Sequence, residues 1–171
     1  LFGANSAEPD LSLLRVLCAA LQTNHTLHAI GLGRNGLCWG EAAKANRDLT
    51  ALRLLCDSLM ENHGVVEVDL HGNSLGDDGV ELAAALVSQR TRTRALDVRA
   101  NEMTAHGAVV LAEALERNVH LRTLSGVPVY DIRNASLTEL NLSGTEARQL
   151  HVGDAFLLAA ALKENPGPIT S

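Results

Sequence analysis

Ser125, His71 and Asp97 are residues of the types that form a hydrolytic triad, and all three fall on segments with strand-like alternation. In the predicted sheet, His71 lies two strands from Ser125 and one same-face step further along. With ~4.8 Å per strand and ~6.6 Å per step, the two side chains are about 11 Å apart. A nucleophile and its base need a separation of about 2.6–3.2 Å. The spacing therefore excludes a triad.

Metal and phosphate chemistry also lack their motifs. The histidines form no HExxH or comparable ligand spacing, and no Walker A motif or other phosphate-binding glycine loop occurs. Several histidines, including His25, His63 and His120, are expected in turns between helix and strand, where they are solvated. The sequence predicts no enzyme activity, no metal site and no cofactor.

The sequence contains three cysteines that form no CxxC pair, Cys18, Cys38 and Cys56. An odd number without metal-ligand spacing favours buried reduced thiols over a disulfide framework or a zinc site. Reduced thiols favour a reducing compartment, and the predicted localisation is cytoplasmic. The alternative is secretion, which would suit three N-glycosylation sequons that begin at Asn24, Asn134 and Asn141.

A repeated sequence unit is expected to position the candidate side chains described above. The segment VEVDLHGNSLGDDGVELAAAL recurs as RALDVRANEMTAHGAVVLAEAL, and Asn73 and Asn101 are 28 residues apart. A fixed period in this range is the signature of a repeat architecture. Both asparagines are expected to point inward, because a buried amide must be hydrogen-bonded and the turn backbone supplies partners.

Each unit has two halves with different hydrophobic periods. Val68 and Leu70 alternate with polar residues, which predicts a strand with one buried face. The residues from 80 to 86 follow helical spacing. Asp77 and Asp78 mark the predicted helix start, through capping and the helix dipole.

The pattern L-x-x-L-x-L-x-x-N-x-L, followed by a glycine and a leucine-rich helix, resembles the leucine-rich repeat of the ribonuclease-inhibitor-like subtype. One unit fills it with Val65, Val68, Leu70, Asn73, Leu75 and Gly79. The next fills it with Leu96, Val98, Asn101, Met103 and Gly107, and departs from it at Thr93. The resemblance implies an α/β solenoid, a horseshoe segment with a parallel sheet on the concave side and helices on the convex side.

Residues 1–171 are expected to form a single leucine-rich-repeat domain of about five to six units, a piece of a longer array. The strand predicted at Leu121 and Leu124 is not followed by a helical pattern, which marks an irregular insertion. The formal charge of −6 argues against a nucleic-acid surface. No apolar run approaches the ~20 residues of a membrane span.

Strand positions that alternate with the buried ones are expected on the concave face. They include an acidic strip of Glu67, Asp69, Asp97 and Glu139, and also His71, Arg99, Asn141 and Ser125. The strip predicts docking of a protein with a basic surface. The alternative is a solvated sheet face on which Arg99 neutralises Asp69 and Asp97. Trp39 falls in an irregular insertion around residues 38–48, and Tyr130 falls in a second insertion at residues 127–136. There they either form a binding edge or fill gaps in the stacking.

The predicted function is non-catalytic protein binding, by a scaffold or a ligand-sensing segment, because a repeat sheet offers a large open surface. The resemblance leaves two alternatives. One is a regulator of a small GTPase that resembles the Ran GTPase-activating proteins, and the other is a secreted inhibitor or decoy. No nucleic acid and no membrane is expected as a partner.

Overall fold

The structure is a computed structural model that describes residues 11–38, 47–90, 92–134, 159–160 and 162–163. It has an α/β fold with a four-stranded parallel sheet. In chain order the elements are α1 (Ser12–Thr23), β1 (Ala29–Gly31), α2 (Thr50–Glu61), β2 (Glu67–Asp69), α3 (Gly76–Ser88), β3 (Ala95–Asp97), α4 (Ala105–Arg117), β4 (Thr123–Leu124) and α5 (Val129–Arg133).

Consecutive strands are neighbours in the sheet, in the order β1-β2-β3-β4. Val68 pairs with Ile30 on one side and with Leu96 on the other, and Leu96 pairs with Leu124. Among the described residues, α2, α3 and α4 each lie between one strand and the next, as a parallel pair requires a crossover connection. The α/β class, the strand positions and the parallel pairing therefore agree with the prediction from the sequence.

The core lies between one face of the sheet and the helices. Leu70 and Leu96, predicted to be buried, are 0% and 1% exposed. Val80 and Leu86 of α3 are both 0% exposed, which follows from the helical spacing of the apolar residues. Full burial of one such side chain contributes roughly 1.5–3 kcal/mol of transfer free energy. The same alternation turns the acidic residues of β2 to the opposite face of the sheet.

Asn73 and Asn101 point inward, as predicted, and each is 1% exposed. Oδ1 of Asn101 accepts a hydrogen bond from the backbone N–H of Asn73 at 2.6 Å. Its Nδ2 donates to the carbonyls of Leu70 and Val98 at 3.0 and 2.9 Å. In the same way, Oδ1 of Asn73 accepts from the backbone N–H of Asn35 at 2.9 Å. The asparagines thus satisfy buried backbone groups of adjacent turns and hold the strand ends in register.

Asp77 lies in the first turn of α3, as predicted, but it caps a different helix. α3 has no side-chain cap hydrogen bond. Oδ1 of Asp77 instead accepts from the backbone N–H groups of Thr104 and Gly107 at 2.8 and 3.2 Å, at the start of α4. Partial burial opposes ionisation of this carboxyl, but hydrogen bonds from Thr104 and Gly107 outweigh it and lower the pKa of Asp77. The aspartate therefore links the starts of two consecutive helices.

The chain after β4 differs from the prediction, because a short helix, α5, follows the strand. Val129 and Ile132 bury its inner face, with 0% and 3% exposure. Arg133 donates from Nη1 to the carbonyl of Asn118 at 2.9 Å and from Nη2 to that of Leu115. The last carbonyls of a helix lack partners within the helix, so α5 completes the C-terminus of α4. Its five residues are too few for a helical period to be visible in the sequence.

Candidate partner-binding surface

The register of the sheet brings two strand positions of β2 and β3 together on its open face. Glu67 pairs with Ala95, and Asp69 pairs with Asp97. Because side chains alternate along a strand, the three carboxylates share the face opposite the core. Glu67, Asp69 and Asp97 form what we term the acidic face.

The acidic face borders an open depression of about 340 Å³. Its lining residues are Ala29, Ile30, Gly31, Glu67, Val68, Asp69, Ala95, Leu96, Asp97, Thr123 and Gly126. The side chains of β1 and β3 on this face are small and leave open space above the sheet. A Cβ built on Gly31 would meet no atom within 4 Å. The arrangement offers acidic groups beside space that the side chains of a partner can enter.

Two of the three carboxylates already contact a basic side chain at the same strand end. Nε of Arg99 donates to both carboxylate oxygens of Asp97 at 2.9 and 3.0 Å. Nδ1 of His71 lies 2.8 Å from Oδ1 of Asp69. The prediction that Arg99 would neutralise both aspartates is thus met for Asp97, whereas Asp69 contacts His71. The spacing of two residues, which puts side chains on one face of a strand, explains both pairs.

The position of the His71 ring depends on a glycine in the preceding strand end. A Cβ on Gly33 would lie 2.1 Å from atoms of the imidazole. No side chain other than hydrogen can occupy position 33 while the ring stays there. Gly33 therefore allows His71 to lie against the end of β1 and to reach Asp69.

Asp97 is the more enclosed of the two aspartates, with 19% of its side chain exposed against 41% for Asp69. Burial opposes ionisation of Asp97, but the hydrogen bonds and the charge of Arg99 together outweigh it and lower the pKa of Asp97. Glu67 is exposed, and no ion pair in the described part of the chain includes it. Glu67 and Asp69 are consequently the carboxylates that a partner can reach most readily.

Ser125 does not lie on the open face, contrary to the prediction. Ser125 is 5% exposed, and its Oγ accepts a hydrogen bond from the backbone N–H of Val98 at 3.3 Å. Positive φ angles at Ser125 (50°) and Gly126 (80°) turn the chain directly after β4. This turn ends the alternation early and directs the serine inward.

The remaining predicted binding residues fall into two groups. Tyr130 is 43% exposed on α5, and it does not line the depression. Trp39, Glu139 and Asn141 lie outside the described residues. The structure thus brings Glu67, Asp69, His71, Asp97 and Arg99 together and leaves Tyr130 apart from them.

The cysteines are buried and unbridged, as predicted from the sequence. Burial raises the pKa of Cys38 and of Cys56 to about 12.

Within the described ranges, no group of three or more His, Cys, Asp or Glu side chains could hold a metal ion. None of the helices there combines the length and apolar character needed to cross a bilayer. No protein-family model matches the sequence.

Proposed function

We propose that this chain is a leucine-rich-repeat segment whose acidic face binds a protein with a basic surface, without catalysis. Parallel strands with a helix between each pair support the repeat assignment. So do the inward asparagines, since Asn73 and Asn101 occupy equivalent places in consecutive turns and the backbone N–H of Asn73 donates to Oδ1 of Asn101. A stack of such units buries apolar faces that one unit cannot bury alone.

The observation that carries the proposal is the open depression beside exposed carboxylates. Glu67 and Asp69 stand next to the small residues Ala29, Gly31 and Ala95. A basic side chain of a partner can therefore approach the carboxylates without displacing a bulky group. Each exposed pair would contribute only about 0.2–1 kcal/mol. The larger effect is expected on the association rate and on its dependence on salt.

A binding role without catalysis is supported by the state of the reactive side chains. Asp97 and Asp69 hold Arg99 and His71 in contacts that fix the shape of the sheet face. Ser125 is buried and accepts a hydrogen bond from the backbone. The buried thiols are consistent with a reducing compartment, and we propose a cytoplasmic location.

The test compares two variants with the same change in net charge. Glu67→Lys combined with Asp69→Asn alters the acidic face, and the Asn side chain retains an acceptor for the backbone N–H of His71. Glu81→Lys combined with Glu113→Gln makes the same change on exposed positions of α3 and α4. Each variant and the unchanged chain is immobilised, and the captured proteins are quantified by mass spectrometry.

The proposal requires that at least one protein with a basic surface be captured by the unchanged chain and by the helix variant but lost from the sheet-face variant. Its association rate with the purified unchanged chain should fall steeply with added salt. Equal capture by all three chains, with circular dichroism showing that all are folded, would rule out the acidic face as the binding surface.

A further inference from the structure

A second charged surface, of opposite sign, lies where helices lead into strands. The three connections at residues 62–66, 89–94 and 118–122 contain no Asp or Glu. They carry instead a set of basic residues, which we term the cationic edge: His63, Arg92, Arg94, His120 and Arg122. The whole chain has a formal charge of −6, so this concentration of positive charge is local.

Backbone hydrogen bonds place the three connections side by side. The N–H of Arg94 donates to the carbonyl of Val66, and the N–H of Arg122 donates to the carbonyl of Arg94, both at 2.7 Å. Side chains bridge the same connections. Nη1 of Arg92 donates to the carbonyl of His63 at 2.8 Å, and Nη1 of Arg94 donates to that of His120 at 3.2 Å. The cationic edge is therefore one continuous surface.

Among the described residues, no carboxylate forms an ion pair with the guanidinium groups of this edge. Arg92 and Arg122 are exposed, and Arg94 is half-buried. The ion pairs in the described part of the chain involve other arginines. A hydrogen bond to a carbonyl leaves the charge of an arginine intact and uses one of its five N–H donors. Donors and charge thus remain available to an anionic partner.

A further arginine lies beneath the edge. Arg90 is 6% exposed, and its Nη2 donates to the carbonyls of Asn62 and Val65 at 2.5 and 2.7 Å. Its Nε and Nη1 are buried and have no hydrogen-bond partner among the described residues. A buried charge without a counter-ion is screened less than an exposed one. It therefore adds to the positive potential at the surface above it.

We infer that the cationic edge is a second interface, which binds an acidic segment of a partner protein. Val119 is 63% exposed in the same connection as His120 and adds an apolar contact. Arginine beside an apolar side chain is typical of protein interfaces. Nucleic acid fits less well, because no Phe, Tyr or Trp lies in these connections to stack on bases.

The experiment uses a defined acidic probe. It is a fluorescein-labelled peptide of about eight residues that alternates Glu with Leu, which at ~3.3 Å per residue exceeds the ~10 Å across three adjacent connections. Fluorescence anisotropy at low salt gives its Kd for the unchanged chain and for Arg92→Gln combined with Arg94→Gln and Arg122→Gln. The matched control is Arg15→Gln combined with Arg34→Gln and Arg53→Gln, which lowers the net charge equally at exposed positions elsewhere.

Loss of these three arginine charges should weaken binding of the probe to the edge variant about tenfold. The control variant should bind the probe nearly as tightly as the unchanged chain. Equal weakening in both triple variants would show attraction to net charge alone and would overturn the inference. So would failure of the unchanged chain to bind the probe.

Two further measurements separate the alternatives. Vesicles with anionic lipid and a single-stranded RNA oligomer are titrated under the same conditions. Tighter binding of either, lost in the edge variant, would assign the surface to that class and overturn the acidic-segment proposal. If the triple edge variant fails to fold, Arg122→Gln alone is compared with Arg53→Gln. Neither arginine side chain makes an ion pair in the described part of the chain.

Discussion

The backbone N–H of Asn73 donates to the side-chain oxygen of Asn101 at 2.6 Å, so the side chain of one turn completes the backbone of the turn before it. The amide group of Asn101 then donates back to Leu70 and to Val98, one residue in each of two neighbouring strand ends. These contacts couple the two turns to each other. Because every partner is buried, the loss of one amide leaves several backbone groups without a hydrogen bond.

Asn101→Ala is expected to destabilise the protein by about 3 kcal/mol, since the buried N–H groups of Asn73 and Leu75 and the carbonyl of Val98 lose their hydrogen bonds to the amide. The carbonyl of Leu70 keeps its hydrogen bond from Nδ2 of Asn73. The free energy of unfolding is measured by urea denaturation followed by circular dichroism. Asn134→Ala removes one hydrogen bond at an exposed position. It is expected to stay within about 0.5 kcal/mol of the unchanged chain. Similar losses for both variants would contradict the structural role of the inward amide.

The residues on either side of Asn35, Asn73 and Asn101 adopt the left-handed backbone conformation. Positive φ occurs before them at Arg34, Gly72 and Ala100, and after them at Gly36, Ser74 and Glu102. Glycine adopts this conformation without the steric cost of a Cβ, whereas an alanine there is strained by about 1–2 kcal/mol. Position 100 has φ of 53° and is exposed.

Ala100→Gly should therefore raise the free energy of unfolding by roughly 0.5–1 kcal/mol, after allowance for the greater entropy of an unfolded glycine. Ala19→Gly makes the same chemical change at an exposed position within α1. It should lower that free energy by about 1 kcal/mol, because glycine disfavours a helix interior. Thermal unfolding of the two variants would give shifts of opposite sign. A shift of the same sign in both would refute the conformational argument.

Arg90 interrupts a series of buried asparagines at the ends of helices. Nδ2 of Asn118 donates to the carbonyls of Val87 and Thr93 at 3.2 and 3.1 Å. Nδ2 of Asn62, two positions earlier in the series, donates to the carbonyls of Leu21 and Asn24. Arg90 donates to similar carbonyls through Nη2, but its Nε and Nη1 have no hydrogen-bond partner among the described residues. Burial also lowers the pKa of Arg90, as does the charge of Arg92, because the charged form is disfavoured there.

Arg90→Asn is expected to stabilise the protein by about 1 kcal/mol, since an amide makes the same contacts without a buried charge. Asn118→Ala serves as the opposite change and should destabilise it by about 2 kcal/mol. Both are measured by urea denaturation. A loss of stability in Arg90→Asn would mean that water molecules or other groups satisfy the guanidinium.

The regular part of this fold could be predicted from residue types alone. Alternation at Val68 and Leu70 determines which face of β2 is buried, and the fixed period sets which residues pair across strands. The inward asparagines follow from the need to satisfy buried amides. Of the candidate site, the common face of Glu67, Asp69 and Asp97 follows from the same alternation.

Features that depend on contacts between units could not be predicted in this way. Asp77 follows the general preference for acidic residues at a helix start, but its oxygens reach the next helix instead of its own. Ser125 turns inward because the strand ends after Leu124. The pairing of His71 with Asp69 also required the position of Gly33 in the adjacent strand end. Each outcome depends on contacts with a neighbouring strand, turn or helix, which the local sequence pattern does not contain.

The last prediction concerns the pH dependence of stability at the acidic face. Burial of Asp97 is outweighed by its hydrogen bonds from Arg99, so its pKa in the folded protein lies below the value of about 3.9 expected for an unfolded chain. A carboxyl with a lowered folded pKa stabilises the protein above its unfolded pKa, and this contribution is lost as pH falls through the folded pKa. The contribution is thus present at neutral pH and disappears in acid.

Asp97→Asn should be less stable than the unchanged chain at about pH 7, and the difference should shrink as pH falls below about 4 and the carboxyl of the unchanged chain is protonated. Urea denaturation at a series of pH values between these limits measures the two curves. Arg99→Gln removes the other member of the Asp97–Arg99 ion pair. It should reduce the same acid-dependent loss of stability, because the guanidinium that lowers the pKa of Asp97 is gone. Parallel curves for Asp97→Asn and the unchanged chain down to acid pH would show that the pair with Arg99 does not stabilise the fold. The acidic face would then owe its shape to the backbone register of β2 and β3 alone.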